Sequence, residues 1–189
     1  MIFKTKTQPT VFEPHKRSVV DRIIEIKVAT PTDARGIAEL EVRNYGPYQK
    51  PFEDMVQLIQ NSLEKSEKGT LLWKIWSVYA HDQIVAYGKC GYMDLEDKST
   101  MVGRDQAWIL NGVEVDLQWR RKSIARRLVQ RRLEWLKERT DLVLYSTALD
   151  NDVSVALHRE FGFIPYQHHM PSKGRNGIAL NQWFYLSLD

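Results

Sequence analysis

A single cysteine, Cys90, excludes an intramolecular disulfide and any zinc cluster built on several cysteines. It also fits a reducing cytosol better than an oxidising compartment. Long apolar runs are missing as well: nowhere does the chain approach the roughly 18 apolar residues of a membrane span. The first residues carry Lys4, Lys6, Lys16 and Arg17 but no apolar stretch of signal-peptide length, so a soluble, cytoplasmic protein with no membrane partner is expected. A large excess of one charge is absent, the net charge being +3, and no internal repeat or low-complexity tract interrupts the chain. His158, His168 and His169 do not make a metal site, because adjacent histidines on a strand face opposite ways and no carboxylate spacing completes a ligand set. Nucleophilic catalysis lacks support too: Ser154 has no elbow motif, and Cys90 sits in a hairpin far from an obvious base. What is there suffices for one compact domain, since 189 residues bury about 70% of the unfolded chain's surface without metal or disulfide support.

Residues 1–23 read as a polar, irregular N-terminal extension and residues 24–189 as the folded domain. Residues 24–28 alternate like a first strand. Thr30, Pro31 and Asp33 then supply an N-cap, an early proline and a first-turn acid for a helix through about Val42. Beyond the loop 44–49, residues 51–65 read as a second helix. Residues 72–80 and 84–92, parted by the polar turn 81–83, form a hairpin rich in aromatic and β-branched residues, with Trp73, Trp76 and Tyr79 expected in the core. Residues 93–105 are a charged connection to a central strand, 106–117, in which Gly112 marks a bulge or a close backbone approach. Residues 174–181 read as a flexible loop before a last strand, 182–188.

The central strand runs into the turn Gln118-Trp-Arg-Arg-Lys-Ser-Ile-Ala125 and then a long amphipathic helix. Such a turn is an anion cradle. The first N–H groups of a helix lack internal partners and its dipole adds partial positive charge, so a diphosphate can rest on backbone amides. Arg120, Arg121 and Lys122 add full charges; the alternative is a solvated helix start capped by Ser123. Arg126, Arg127 and Arg131 extend the basic cluster, either as a solvated face or toward phosphates or nucleic acid. At about 100° per residue, Ile124, Ala125, Leu128, Val129, Leu133, Trp135 and Leu136 share one half of the helix. Arg132 falls in the middle of that half, where it must snorkel, pair with a carboxylate or reach into a site.

Further on, the apolar run 142–145 ends in Asp150-Asn151, and a short helix closes at Gly162-Phe163. Asn151, Ser154, Leu157, His158, Gly162 and Phe163 stand at the spacings of Asn-x-x-Ala-x-x-Leu-Tyr-x-x-x-Gly-Phe. That pattern resembles the GNAT superfamily of N-acetyltransferases. The turn at Arg120 resembles the same family's Gln/Arg-x-x-Gly-x-Gly/Ala pyrophosphate loop with its glycines replaced. Two motifs in the right order and separation are more specific than either alone, and the resemblance spans about residues 24–188. It implies an α/β fold with a splayed central mixed sheet flanked by about four helices.

The resemblance further implies acetyl-CoA as the acyl-donor cosubstrate and a primary amine, on a small molecule or a peptide, as the acceptor. Cofactor contacts are then expected from Val115, Leu117, Arg120, Arg121, Lys122, Ser123, Ile124, Ala125, Arg126, Asn151 and Ser154. The pantetheine arm pairs with strand backbone near 115–117, and Asn151 binds its amides or merely caps the helix. Tyr45, Tyr48 and Phe52 become the acceptor wall. Transfer by direct attack needs a neutral amine, and Glu114 and Asp116 are the nearest acids to deprotonate it; the alternative for both is a polar strand face or a partner for Arg132. An N–H near Val115 faces the developing oxyanion. His158 stands where the family usually has the tyrosine that protonates the leaving thiolate, although an imidazole of pKa about 6.5 carries its extra proton in only about a quarter of molecules at pH 7. Its alternative is an ordinary helix histidine. A second reading, a degenerate domain that binds acyl-CoA as a sensor or structural module, follows from the missing glycines and from His158. RNA or DNA binding through the basic helix is the least favoured reading. The acceptor's identity, the acyl length and the oligomeric state, a homodimer included, are left open.

Overall fold

The computed structural model describes residues 23–47, 50–69, 73–94, 106–174 and 177–188. Its strands are β1 (Ile24–Val28), β2 (Trp73–Ala80), β3 (Gln83–Asp94), β4 (Gln106–Val115), β5 (Leu142–Ala148), β6 (Ile164–Gly174) and β7 (Gly177–Ser187). They form one mixed sheet in the order β1-β2-β3-β4-β5-β7-β6. Four α-helices stand among the described residues: α1 (Ala34–Tyr45), α2 (Phe52–Glu67), α3 (Ile124–Leu136) and α4 (Asp152–Arg159). Neighbouring strands are antiparallel except β4 and β5, because α3 carries the chain back over the sheet between them. This mixed sheet with helices on both faces is the α/β arrangement that the two motifs imply.

The sheet separates two layers. On one face Ile124, Leu128, Val129, Leu133 and Leu136 of α3 and Val155 of α4 pack with Val78, Ala86, Cys90, Leu110, Val143, Tyr145 and Phe184. On the other, Ala34, Ile37 and Leu40 of α1 and Leu63 of α2 cover Ile84 and Tyr87. Trp76 joins the first core, while Trp73 and Tyr79 are half-buried. The entry to α1 is set locally: Thr30 N–H donates to the Asp33 carboxylate at 2.9 Å, and the Tyr79 hydroxyl donates to the same group.

Several boundaries differ from the sequence reading. The first helix runs to Tyr45 and the second to Glu67. The β2–β3 hairpin closes on two residues, His81 and Asp82, both in left-handed conformation, the geometry whose twist matches its strands. β4 stops at Val115, and Leu117 belongs to a short 3₁₀ turn (Leu117–Trp119) that ends strand pairing before residue 117. Residues 177–181 are not a loop: β7 begins at Gly177 and pairs with β6 from Gly174 onward, since two adjacent strands saturate each other's backbone groups even where the side-chain pattern is weak. Residues 1–22, Tyr48, and 95–105 of the charged connection lie outside the described residues.

Two irregularities in β4 position everything that follows. Gly112, with φ at 41°, is an extra residue where the β3–β4 register shifts, Lys89 facing Asn111 and Gly88 facing Val113. Beyond the pair Leu110–Tyr145 the parallel β4–β5 ladder ends, although β4 continues to Val115 and β5 to Ala148. The two strands therefore part at the centre of the sheet, leaving a cleft that opens toward the start of α3.

Candidate active site

At the open end of this cleft lies the basic turn. Asp116 accepts the N–H of Gln118 at 2.9 Å and closes the 3₁₀ turn. Arg121 and Ser123 then adopt φ of 62° and 59°. Counted from Arg120, Ser123 is the position where the resembling loop carries its first glycine, so there the backbone takes the glycine conformation without glycine, and Arg121 adopts it at a position the pattern leaves open. Ser123 makes no side-chain bond to the helix, which corrects the reading of a serine-capped start: left-handed φ replaces the extended backbone an N-cap needs. The hydroxyl thus leaves the first-turn amides of Ile124, Ala125 and Arg126 unclaimed, aimed out of the helix end.

The cations are arranged differently. Arg120 Nε donates to the Val115 carbonyl at 3.2 Å, Lys122 Nζ folds back to the Gln118 carbonyl at 3.0 Å and over the Trp119 ring, and Arg126 pairs with Glu160 at 2.5 Å. Arg121 is exposed. Arg126 ties the start of α3 to the end of α4.

The α1 face of β4 gathers a polar group. Glu114 accepts from the Tyr45 hydroxyl at 2.6 Å and from Asn44 Nδ2 at 3.4 Å, while Asn44 also reaches the Val115 carbonyl at 3.2 Å. Burial raises the Glu114 carboxyl above its ordinary pKa, an effect only partly offset by the Tyr45 hydrogen bond. Beside it the Tyr87 hydroxyl donates to Glu41, and Lys89 lies over the Trp73 ring, its ammonium pKa lowered by burial against the pull of Glu41 and Glu114. Asp116 is committed elsewhere, bound to Arg43 Nε at 2.9 Å, whose guanidinium also donates to the Ile84 carbonyl. Phe52 sits under the Arg35 guanidinium at the start of α1. Ten residues of helix separate Arg35 from Tyr45, about 15 Å at 1.5 Å each, so the fold brings Tyr45 to Glu114 but not Phe52.

Just beyond the end of β5, Asn151 caps α4 by accepting the Ser154 N–H at 3.2 Å. His158 is buried, only 3% exposed, with Nδ1 donating to the Ser154 carbonyl at 2.8 Å. Its ring stacks on Tyr145, centroids 3.6 Å apart and planes 9° from parallel. Burial pushes its pKa down to about 4. A neutral imidazole whose Nδ1–H is spent on a backbone carbonyl has no proton for a leaving group.

Arg132 pairs with no carboxylate among the described residues, neither Glu114 nor Asp116. Wholly buried, it donates to the carbonyls of Leu128, Lys89 and Asn111 at 3.1, 2.8 and 3.2 Å, gripping both strands at the bulge. A Cβ on Gly88 would stand 3.3 Å from its Nε. Sequence reasoning missed Tyr145, Asn44, Glu41 and Lys89. Tyr145 looked like one more apolar strand residue, and the others come from elements far apart in the chain.

A model of the acetyltransferase (GNAT) family matches residues 34–163. No curated protein matches the chain. Among solved structures, an N-acetyltransferase from Staphylococcus aureus Mu50 superposes with a TM-score of 0.65 at 17% identity, over 88% of this chain and 98% of that one. A ribosomal-protein-S5-alanine acetyltransferase from Vibrio fischeri gives 0.66 at 15%, over 88% and 93%. A structure from Salmonella typhimurium, assigned to the acetyltransferases and carrying its cofactor acetyl-CoA, gives 0.62 at 16%, over 88% and 95%. At these identities the likeness shows the fold.

Proposed function

Because the chain belongs to the GNAT family of acetyltransferases, we propose that it is an acyl-CoA-dependent N-acetyltransferase acting in the cytoplasm. It moves an acetyl group from acetyl-CoA to a primary amine of a small molecule, peptide or protein by direct attack in a ternary complex. The observation that carries this reading is the pair of left-handed residues, Arg121 and Ser123, at the mouth of the parted β4–β5 ladder. A non-glycine residue in that conformation costs about 1–2 kcal/mol, and spending it twice at one turn fits a backbone shaped for an anion. The amides of Ile124, Ala125 and Arg126 hold the diphosphate, with Arg121 and Lys122 adding charge. The unpaired edge of β4 near Val115, together with Asn151 and Ser154, holds the pantetheine arm.

Glu114 is the base. It is half-buried on β4, its pKa is raised toward the range useful for proton abstraction, and Tyr45 fixes its orientation. Asp116 takes a positioning role, locked to Arg43 and to the turn. A second reading, a GNAT domain that binds acyl-CoA without turnover, is favoured by one observation: His158 is buried and deprotonated where the family's proton donor stands.

The first test is the melting temperature with acetyl-CoA in excess. Ligand at about 100 times its dissociation constant adds about 2.7 kcal/mol, which for a domain of this size is a rise of roughly 5–10 °C. No shift at millimolar ligand would remove both readings. A shift followed by amine turnover that falls in Glu114→Gln supports the enzyme, and a shift without turnover supports the binding domain.

A further inference from the structure

At the closed end of the cleft a strand residue outside both motifs, Tyr145, meets two motif residues, Ser154 and His158. Tyr145 is the last residue of β5 paired with β4, so its side chain stands where the two strands begin to part. Its hydroxyl is hydrogen-bonded to Ser154 Oγ, and its ring lies between His158, Phe163 and Phe184. Ser154 is half-buried in the first turn of α4, held there by Asn151. Arg132, buried and without a carboxylate partner among the described residues, lies within electrostatic reach of the Tyr145 hydroxyl, and Thr147 hydrogen-bonds to it from the same strand. The phosphate turn occupies the opposite, open end of the cleft. A linear cofactor with its diphosphate on that turn must therefore place its sulfur end toward Tyr145 and Ser154.

We infer that Tyr145 and Ser154 form a two-hydroxyl relay that protonates the leaving thiolate, the task His158 cannot perform. This rests on the acyl-CoA reading above. As the carbon–sulfur bond breaks, its electron pair goes to sulfur, which takes the proton of Ser154 Oγ. The Tyr145 hydroxyl passes its own proton to Ser154 Oγ. Burial raises the Tyr145 pKa and so disfavours the tyrosinate left behind, a cost that the hydrogen bonds from Ser154 and Thr147 and the Arg132 charge offset in part. The tyrosinate regains a proton from water as the product departs. His158 positions the relay by stacking on Tyr145 and by holding the Ser154 carbonyl.

The test needs no acceptor. Coenzyme A labelled with carbon-13 at the CH2 next to sulfur is bound to the full chain, and its chemical shift is followed against pH to give the thiol pKa in the complex. A thiolate that accepts a hydrogen bond from the relay titrates low. Ser154→Ala is expected to raise that pKa by about one unit, a tenfold loss of thiolate at a given pH below it. Tyr145→Phe raises it less, and the double variant no more than Ser154→Ala, because both act through one hydrogen bond. Ser154→Ala replaces a helical residue by the best helix former, so it keeps its fold. If either single variant leaves the bound thiol pKa unchanged while coenzyme A still binds, the relay is overturned. If the wild-type protein fails to bind coenzyme A, the acyl-CoA reading itself falls and takes the relay with it.

Discussion

Arg132 shows how much a single buried charge can be asked to do. Desolvation lowers its pKa only to about 10, so it stays charged at neutral pH, and it pays that cost by donating to carbonyls of α3, β3 and β4 at once. One of its terminal nitrogens, Nη2, has no hydrogen-bond partner among the described residues. Substitution by Met keeps the length and removes the donors, leaving the Lys89 and Asn111 carbonyls without their side-chain partner at the bulge. We expect Arg132→Met to lower stability by about 2–4 kcal/mol, from about 1–3 for each buried group left unpaired minus the relief of burying no charge. Urea denaturation measures this, and an unchanged midpoint would mean that the bulge holds itself. The wheel position of Arg132 was legible in the sequence. Its partners were not, because backbone carbonyls leave no signature in the order of side chains.

At the scale of the element, the turn from β4 into α3 sets backbone strain against side-chain choice. Serine at φ 59° is tolerated, glycine is at ease there, and a β-branched residue is a true outlier. Ser123→Gly is therefore expected to leave the melting temperature within about 2 °C, relief of strain offsetting the extra freedom of the unfolded chain. The same change should tighten acetyl-CoA binding about threefold by letting the diphosphate come closer. Ser123→Val should cost about 1–3 kcal/mol of stability and weaken binding. Calorimetric titration of both variants decides the matter, and equal affinities for Gly, Ser and Val at this position would show that the turn's conformation does not govern the site. The location of this turn was readable from a strand pattern, a basic run and a helical wheel. Its left-handed residues were not, since neither arginine nor serine announces a positive φ.

For the whole molecule, burial of His158 couples folding to pH. The imidazole titrates at about 6.5 when unfolded and at about 4 in the fold. The unfolded chain therefore binds the proton more readily: the contribution to stability is complete above pH 6.5 and is lost as pH falls toward 4. Between pH 7 and pH 5 the expected loss is about 2 kcal/mol. It is measured as the difference between wild type and His158→Phe in urea unfolding at the two pH values, and a difference that does not change with pH would place His158 in a wetter site. The sequence by itself determined the family, the order of strands and helices through α4, the basic turn and the apolar face of α3. These depend on neighbours three or four residues apart and on local motif spacing, which the chain carries in one dimension. The tertiary structure alone decided that β4 and β5 part at Leu110 and Tyr145, that Glu114 meets Tyr45 from 69 residues away, and that Arg132 grips β3 and β4. It also decided that the Tyr145 hydroxyl meets Ser154 Oγ while His158 is buried with its Nδ1 on the Ser154 carbonyl. Those outcomes depend on which strands pair and where a bulge falls, and on how deeply a group is desolvated once helices close over the sheet. They exist only after residues distant in sequence have been brought together.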